Sequence, residues 1–504
     1  MKIILAGYNV DAEVLDAMKA ECKARNDVTP EVLSAAYARI SRDPRAIDEI
    51  RKDAREEVER TRRSNETIIF KMGHHSVAEH AIFNFDIIGL SRYAMESLEK
   101  FRLCSYTEKS QRYITLEDDF VVPPEIRGTA FEPDFVNVIR EQNELYRKLY
   151  DALREYVFAK HPDLASNPKK HSLLEGWAKE DARYATALAT EAQVGLTVNA
   201  RNLELMLRRF ASHPLTEVKE LGRLMYEKVK KIAPSIILFH AANDLDEKTY
   251  PDLVAFGKEL FERELLADEG AMSADVRLVD YDESGDECIA AALLHSVTSH
   301  SFEHCRARVE GMSTEEKQSL FKAACRHLQF YDSVPREFEY AHLTYNMVIS
   351  AACFGQLKRH RMTSITAQNY IPELGVTIPR SIIEIGMEND FQAVVQKTNE
   401  LYDKIQRTLP PVAPYILTNA HKRRVLVRTN IRELYHMSRL REDEHAQWDI
   451  REKTACMSKE ARTVMPLACM LLGGKNAFVE VYEKAYGFPP KVQEAVLPGV
   501  KKIR

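Results

Sequence analysis

The sequence predicts a mixed α/β (α+β) protein built from two tandem copies of one domain. Three observations lead there. At 504 residues the chain exceeds a single hydrophobic core, so two or more domains are expected. Short strand-like runs alternate with long helical stretches in both halves. The same motifs also recur in the same order. Glu79 and Glu339 stand 260 positions apart, Arg102 and Arg361 259, and Asn199 and Asn430 231. A repeat of this kind reads as internal duplication, with copies at 1–260 and 275–504 and about 28 extra residues inside the first.

Composition narrows the class. Hydrophobic residues at 45% and charged residues at 29% describe a soluble globular chain, and a net charge of −5 gives no general affinity for nucleic acid or acidic membranes. No apolar run reaches the ~18 residues of a membrane span. The start, Met1 to Tyr8, is too short and too soon polar for a secretory signal and reads as a buried strand entering a turn at Gly7. Eight scattered cysteines without a Cys-x-x-Cys pair predict reduced thiols in a cytoplasmic protein, most of them small core residues.

Taken in order, residues 10–65 read as charged, periodic helices. Gly73 to His80 leads into an alternating strand, Ala81–Gly89, and then a helix over 91–102 that ends in Lys100-Phe101-Arg102. Ser105 to Tyr113 is polar and without a clean period, which predicts a loop. Residues 120–170 are helices and loops, and helical texture from Glu180 continues through Asn199 to about Lys231. A linker falls near 245–275, at Pro251 and the acidic Leu266–Gly270. Val276–Tyr281 is again a strand. Ala341–Ser350 is the alternating strand of the second copy, followed by a helix ending at Arg359-His360-Arg361. Asn430 opens a long helix containing Arg441 and His445-Ala446-Gln447-Trp448.

The chemistry centres on Gln356-Leu357-Lys358-Arg359-His360-Arg361. Three cations and a titratable ring in four residues repel one another unless something anionic lies between them. Guanidinium forks suit phosphate and planar carbonyl groups. The 105–113 loop offers the Ser110 hydroxyl, Arg112, backbone donors and the acceptor Glu108, a set suited to a nucleoside monophosphate. His74, His75, Glu79 and His80 match no zinc spacing, so no metal is expected. Ser110 has no nearby histidine to act as base, and no glycine-rich phosphate loop is present.

The stretches GHHSVAEHAIFNF, SLEKFRLCSYTEKSQRY and NAR in the first copy, and QLKRHRMTS and NIRELYHMSRLREDEHAQWDIRE in the second, resemble the flavin-dependent thymidylate synthase family. The resemblance implies a mixed α/β domain that assembles as a tetramer with active sites at subunit interfaces. It also implies synthesis of thymidylate from dUMP, methylenetetrahydrofolate and NADPH, with FAD carrying hydride. For a duplicated chain it implies a homodimer forming a pseudo-tetramer.

Each copy departs from the family pattern, and the departures are complementary. Arg-His-Arg has become Lys100-Phe101-Arg102 in the first copy, which keeps Glu108, Ser110, Arg112 and Arg183. The second copy keeps Arg359-His360-Arg361 but has Ala367, Asn369, Ile371 and Pro414 at those other places. Arg441 of the second copy corresponds to Phe210 of the first. By resemblance, Gln356 and Arg359 meet the nucleotide from one side, and Glu108, Ser110, Gln111, Arg112 and Arg183 from the other. Arg359, His360, Arg361, Asn430, Arg432 and His436 bind FAD, with Ser76 from a neighbouring copy. Arg441 faces the pyrimidine and stabilises negative charge on it, so one composite site is live and its reciprocal is dead. Rival readings are a related flavin-dependent methylase of another pyrimidine nucleotide, a non-catalytic flavin- or nucleotide-binding protein, and a nucleic-acid binder using Lys358–Arg361 and His421–Arg424, which the net acidity opposes.

Overall fold

The computed structural model describes residues 1–21, 28–40, 43–112, 114–116, 118–261 and 274–491. Cys22, Tyr113 and the acidic linker Leu266–Gly270 lie outside the described residues. Two four-stranded antiparallel sheets organise the chain. The strands are β1 (Lys2–Tyr8), β2 (Ile82–Ser91), β3 (Ser105–Glu108), β4 (Glu191–Asn199), β5 (Val276–Tyr281), β6 (His342–Ser350), β7 (Thr363–Ala367) and β8 (Lys422–Asn430). Their orders, β1-β2-β4-β3 and β5-β6-β8-β7, are identical when the second set is renumbered. The central pairs share a register, since Ile82 faces Asn199 and His342, 260 positions on, faces Asn430. Both copies therefore have one topology.

Each central strand runs directly into a capped helix. Ser91 Oγ accepts from the Ala94 N–H and Ser350 Oγ from the Cys353 N–H, both at 3.0 Å. Asn199 and Asn430 Oδ1 do the same for Asn202 and Glu433, at 2.9 and 2.8 Å. These caps satisfy donors that the first helical turn leaves unpaired, so the strand-to-helix change falls at a fixed residue. A buried acid braces each serine: Ser91 Oγ donates to Glu217 at 2.7 Å, and Ser350 Oγ to Asp449 at 2.6 Å.

By contacts the chain forms two units, residues 1–268 with 378–419 and residues 269–377 with 420–504. Within unit 1 the helices Glu132–Lys160 and Glu388–Thr408 pack together, and they carry matching residues 256 positions apart (Phe135 and Phe391, Tyr146 and Tyr402). Gln142 Nε2 donates to Thr398 Oγ1 at 2.8 Å, again 256 apart, and Ala187 bridges Thr418, 231 apart. Equivalent positions thus face each other, the signature of an isologous two-fold contact held inside one chain. Between Glu132–Lys160 and β4 the first copy also carries the helices Pro162–Ala165 and His171–Ala182.

Four expectations are corrected. β1 is a half-exposed edge strand with Ile3 its buried residue, and it continues through Gly7, where the register shifts. Ser105–Glu108 is an edge strand on β4 rather than loop, held by the Tyr106 hydroxyl donating to Leu98 O and Phe101 O. Residues 191–199 form the strand β4, with Ala192, Val194, Leu196 and Val198 inward. The long helix from Asn430 is two helices, Ile431–Arg441 and Trp448–Val464. At the break Asp443 accepts the His445 N–H at 3.1 Å, a local side-chain bond that competes with helix, and also the distant Asn476 N–H at 3.2 Å.

One stability prediction arises in unit 1. His213 Nδ1 accepts the Leu215 N–H at 3.1 Å, so the neutral ring carries its hydrogen on Nε2, 3.0 Å from Ser97 Oγ. Burial first, then Lys100 and Lys219, lower its pKa from 6.5 to about 4. As pH falls through that window the unfolded chain takes up a proton that the folded ring refuses, so stability falls with it. His213→Gln is expected to flatten the slope of the thermal midpoint between pH 6.5 and about 4. An unchanged slope would disprove the assignment.

Candidate functional site

In unit 2 the residues Arg359, Arg361, Asn430, Arg432 and His436 line one pocket of about 280 Å³ with Ser333, Glu339, Met362 and Glu433. They converge because the end of helix Ala351–Leu357 and the start of helix Ile431–Arg441 follow adjacent strands, β6 and β8. Arg432 Nη1 donates to Glu339 Oε1 at 3.0 Å and Nε to Val334 O at 3.0 Å, which holds its fork at the pocket wall. Glu79 and Arg201 form the matching pair in unit 1.

His360 is fully buried and joins this pocket to Arg441. Its Nδ1 lies 3.2 Å from Glu433 Oε1, and Arg441 Nε donates to its Nε2 at 3.1 Å. A guanidinium can only donate, so Nε2 is the bare acceptor and Nδ1 carries the hydrogen that Glu433 accepts. Arg441 Nη2 also donates to the Gln356 carbonyl at 3.1 Å, and Gln356 Nε2 donates to Gln447 Oε1 at 3.2 Å. Arg441 is thereby aimed by two acceptors, one of them oriented by a carboxylate. Glu433 was missed in the sequence. Its place three residues after the cap Asn430 is the detectable sign, because a glutamate there ordinarily reaches back to its own cap. His360, Glu433 and His436 are the three potential metal ligands that gather among the described residues. The Arg441 cation on Nε2 opposes a metal there.

Unit 1 assembles the other set. Glu108 is tied to Arg92 in a buried ion pair at 2.7 Å. Ser110 Oγ accepts the Arg112 N–H at 3.2 Å, and Arg112 Nε meets Glu180 Oε2 at 3.0 Å. Arg183 Nε donates to Glu180 O at 3.3 Å. Burial pushes the Glu180 carboxyl up while Arg112 and Arg183 pull it down, and burial lowers Arg183. Gln111 and Arg183 are buried, and neither Gln111 Nε2 nor Arg183 Nη2 has a hydrogen-bond partner among the described residues. Such groups need an acceptor from elsewhere. Ser76 stands apart from this set. It is exposed on the turn His75–His80, which leads into the Ile82–Asn199 end of the sheet. Lys109 bonds Gln193, about 20 Å along β4 at the usual rise per residue.

The counterpart positions are filled by packing. Where unit 2 has His360 and Arg441, unit 1 has Phe101 and Phe210, edge to face with centroids 5.7 Å apart. A Cβ on Gly222 would lie 2.9 Å from the Phe210 Cβ, so a glycine there makes room for the ring. Where unit 1 has Gln111, unit 2 has Tyr370, and the Arg423 guanidinium lies 4.2 Å from that ring and 4.6 Å from Phe354.

A sheet-and-helix domain occurring twice, with an arginine–histidine pocket in one unit and an arginine–carboxylate cluster in the other, defines a duplicated α+β protein whose two units carry unlike polar clusters. The sequence profile of the family described as thymidylate synthase complementing protein matches twice, at residues 25–235 and 277–467. The chain belongs to this family, that of the flavin-dependent thymidylate synthases. A flavin-dependent thymidylate synthase of Clostridium tetani is 30% identical over 215 residues, 42% of this chain and 82% of the relative. A UPF0159 protein of Thermoplasma acidophilum is 22% identical over 469 residues, 85% of this chain and 93% of its own. A crystal structure of a UMP/dUMP methylase from Streptomyces cacaoi, bound with 5-Br dUMP, covers 47% of this chain and 92% of its own at 19% identity and a TM-score of 0.32. Among the described residues no helix is long and apolar enough to cross a membrane.

Proposed function

We propose that this chain is a thymidylate synthase that reductively methylates dUMP, with methylenetetrahydrofolate as carbon donor, NADPH as reductant and FAD as cofactor. The observation that carries the reading is the complementarity of the two sets: each half is kept where the other copy has lost it. Family membership supports the flavin. The donor set fits a dinucleotide, because the guanidinium forks of Arg359, Arg361 and Arg432 line one pocket together with Asn430 and His436. Bound there, FAD would supply hydride transfer.

On this reading Arg359, Arg361, Asn430, Arg432 and His436 hold the cofactor's phosphates and sugars, with Ser76 supplied by another copy. Gln356 and Arg359 meet dUMP from one side, and Glu108, Ser110, Gln111, Arg112 and Arg183 from the other. Arg441 faces the pyrimidine carbonyl and N3, where a fixed charge stabilises the electron-rich ring during carbon transfer. The histidine's bare Nε2 and the Gln356 carbonyl hold that fork in place before substrate arrives. Glu433 keeps the histidine in the tautomer this requires. The assembly we propose is a homodimer, in which four copies occupy the places of four family subunits.

The aromatic pair Phe101–Phe210 and the Arg423 stack leave the reciprocal site neither the histidine–arginine pair nor the Gln111-side donors. About one flavin per chain is therefore expected, since a site needs several convergent polar groups. Purified protein should show flavin absorbance at that ratio and should convert dUMP to thymidylate when all three co-substrates are present. A ratio near two, or product absent from flavin-loaded protein, would overturn the reading.

A further inference from the structure

We propose that Asn419 is a positioning residue for the nucleotide half-site, fixing the Gln111 amide so that its NH2 group faces the bound nucleotide and donates to a phosphate oxygen. This rests on the reading of Gln111, Arg112 and Arg183 as nucleotide ligands.

Asn419 belongs to the second copy by sequence and to unit 1 by contacts. It is buried, and its backbone N–H donates to Thr186 O at 2.9 Å. Its side-chain Nδ2 lies 3.1 Å from Arg183 O, 3.0 Å from Thr186 Oγ1 and 3.2 Å from Gln111 Oε1. Thr186 Oγ1 gives its own hydrogen to Arg183 O at 2.9 Å and so meets Asn419 with a lone pair. The reverse amide orientation would set an oxygen against the Arg183 carbonyl, so the polarity of Asn419 is decided by the backbone. Gln111 must then turn its oxygen to Asn419, which directs Nε2 away.

That Nε2 is buried without a partner among the described residues, as is Nη2 of Arg183, the residue whose carbonyl holds the other side of Asn419. Two buried donors joined through one amide call for a ligand made of acceptors. One donor carries charge, and a phosphate, which has acceptor oxygens and negative charge, satisfies both better than a neutral carbonyl does. The asymmetry of the duplication agrees. The residue equivalent to Asn419, 231 positions earlier, is Leu188, which has no amide to orient the opposite side.

The test uses full-length protein and calorimetric binding of dUMP and of deoxyuridine, which lacks the phosphate, together with kcat and KM. Asn419→Leu keeps the shape of the amide and removes the donor. It should weaken dUMP binding about tenfold or more through loss of one oriented bond, with kcat at saturation little changed. Gln111→Glu still offers Asn419 an oxygen but puts a second oxygen where the NH2 stood. It should erase most of the preference for dUMP over deoxyuridine, an effect that a purely structural Gln111–Asn419 bond would not produce. Gln111→Glu also decides the matter if Asn419→Leu fails to fold, as judged by thermal midpoint. If folded Asn419→Leu and Gln111→Glu both bind dUMP like wild type, the positioning role is overturned and the functional reading stands. If wild-type protein binds no dUMP, both fall.

Discussion

Arg441→Ala is expected to lower kcat by about 100- to 1,000-fold, the loss seen when one preorganised donor to a developing negative charge is removed. The fold should survive. Arg441 lies at the end of the helix Ile431–Arg441, is only partly buried, and donates to His360 Nε2 and the Gln356 carbonyl. Truncation leaves those acceptors short of a donor, a cost of about 1–3 kcal/mol that water entering the gap reduces. Arg441→Lys should also be severely impaired, because an ammonium keeps the charge but cannot hold the histidine nitrogen, the carbonyl and the substrate in one plane. Glu433→Gln is the informative companion, since it retains a hydrogen-bond acceptor for His360 while removing the carboxylate charge. Turnover, flavin content and thermal midpoint measured together separate these outcomes. Arg441→Ala with near wild-type kcat would remove this residue from the reaction.

Arg112→Ala should act on the other half-site, raising KM for dUMP about 10- to 100-fold through loss of a charge-assisted contact worth about 1.5–3 kcal/mol. The same change strips Glu180 of its partner at 3.0 Å. Burial already favours the protonated carboxyl, so Glu180 should take up a proton more readily, and the folding penalty of the variant should grow as pH rises above the ordinary carboxylate range. Mixing Arg112→Ala with Arg441→Ala protein then reports the geometry. If a live site draws its halves from two chains, random subunit exchange in a dimer leaves about a quarter of all sites without a lesion, and activity returns to that extent. If both halves come from one chain, mixing restores nothing. Full activity in either single variant, at both limiting and saturating dUMP, would refute the division of labour.

The sequence by itself determined that the chain is duplicated, because repeat spacing survives divergence better than any single residue does. It also determined the family and the complementary losses at Lys100-Phe101-Arg102 and at Ala367, Asn369 and Ile371. Strands β2 and β6 were legible because inward Phe83, Phe85 and Ile87, or Leu343, Tyr345 and Met347, alternate with other residues. β4 was hidden in apparently helical texture, since Gln, Gly and Thr on its outer face weaken the period-2 pattern. β3 pairs on one side with a strand 86 or more positions later, a partner no local window contains.

Only tertiary structure decided which groups act through which. That Ile378–Asn419 packs in unit 1 depends on the match of the helices Glu132–Lys160 and Glu388–Thr408 at equivalent positions, a long-range fit with no local sign. The direction of His360's two nitrogens follows from a carboxylate 73 positions away and a guanidinium 81 away. The direction of the Gln111 amide follows from Asn419, 308 positions away. Hydrogen-bond polarity is set by whichever neighbour can only donate or only accept, and folding rather than spacing brings that neighbour into place.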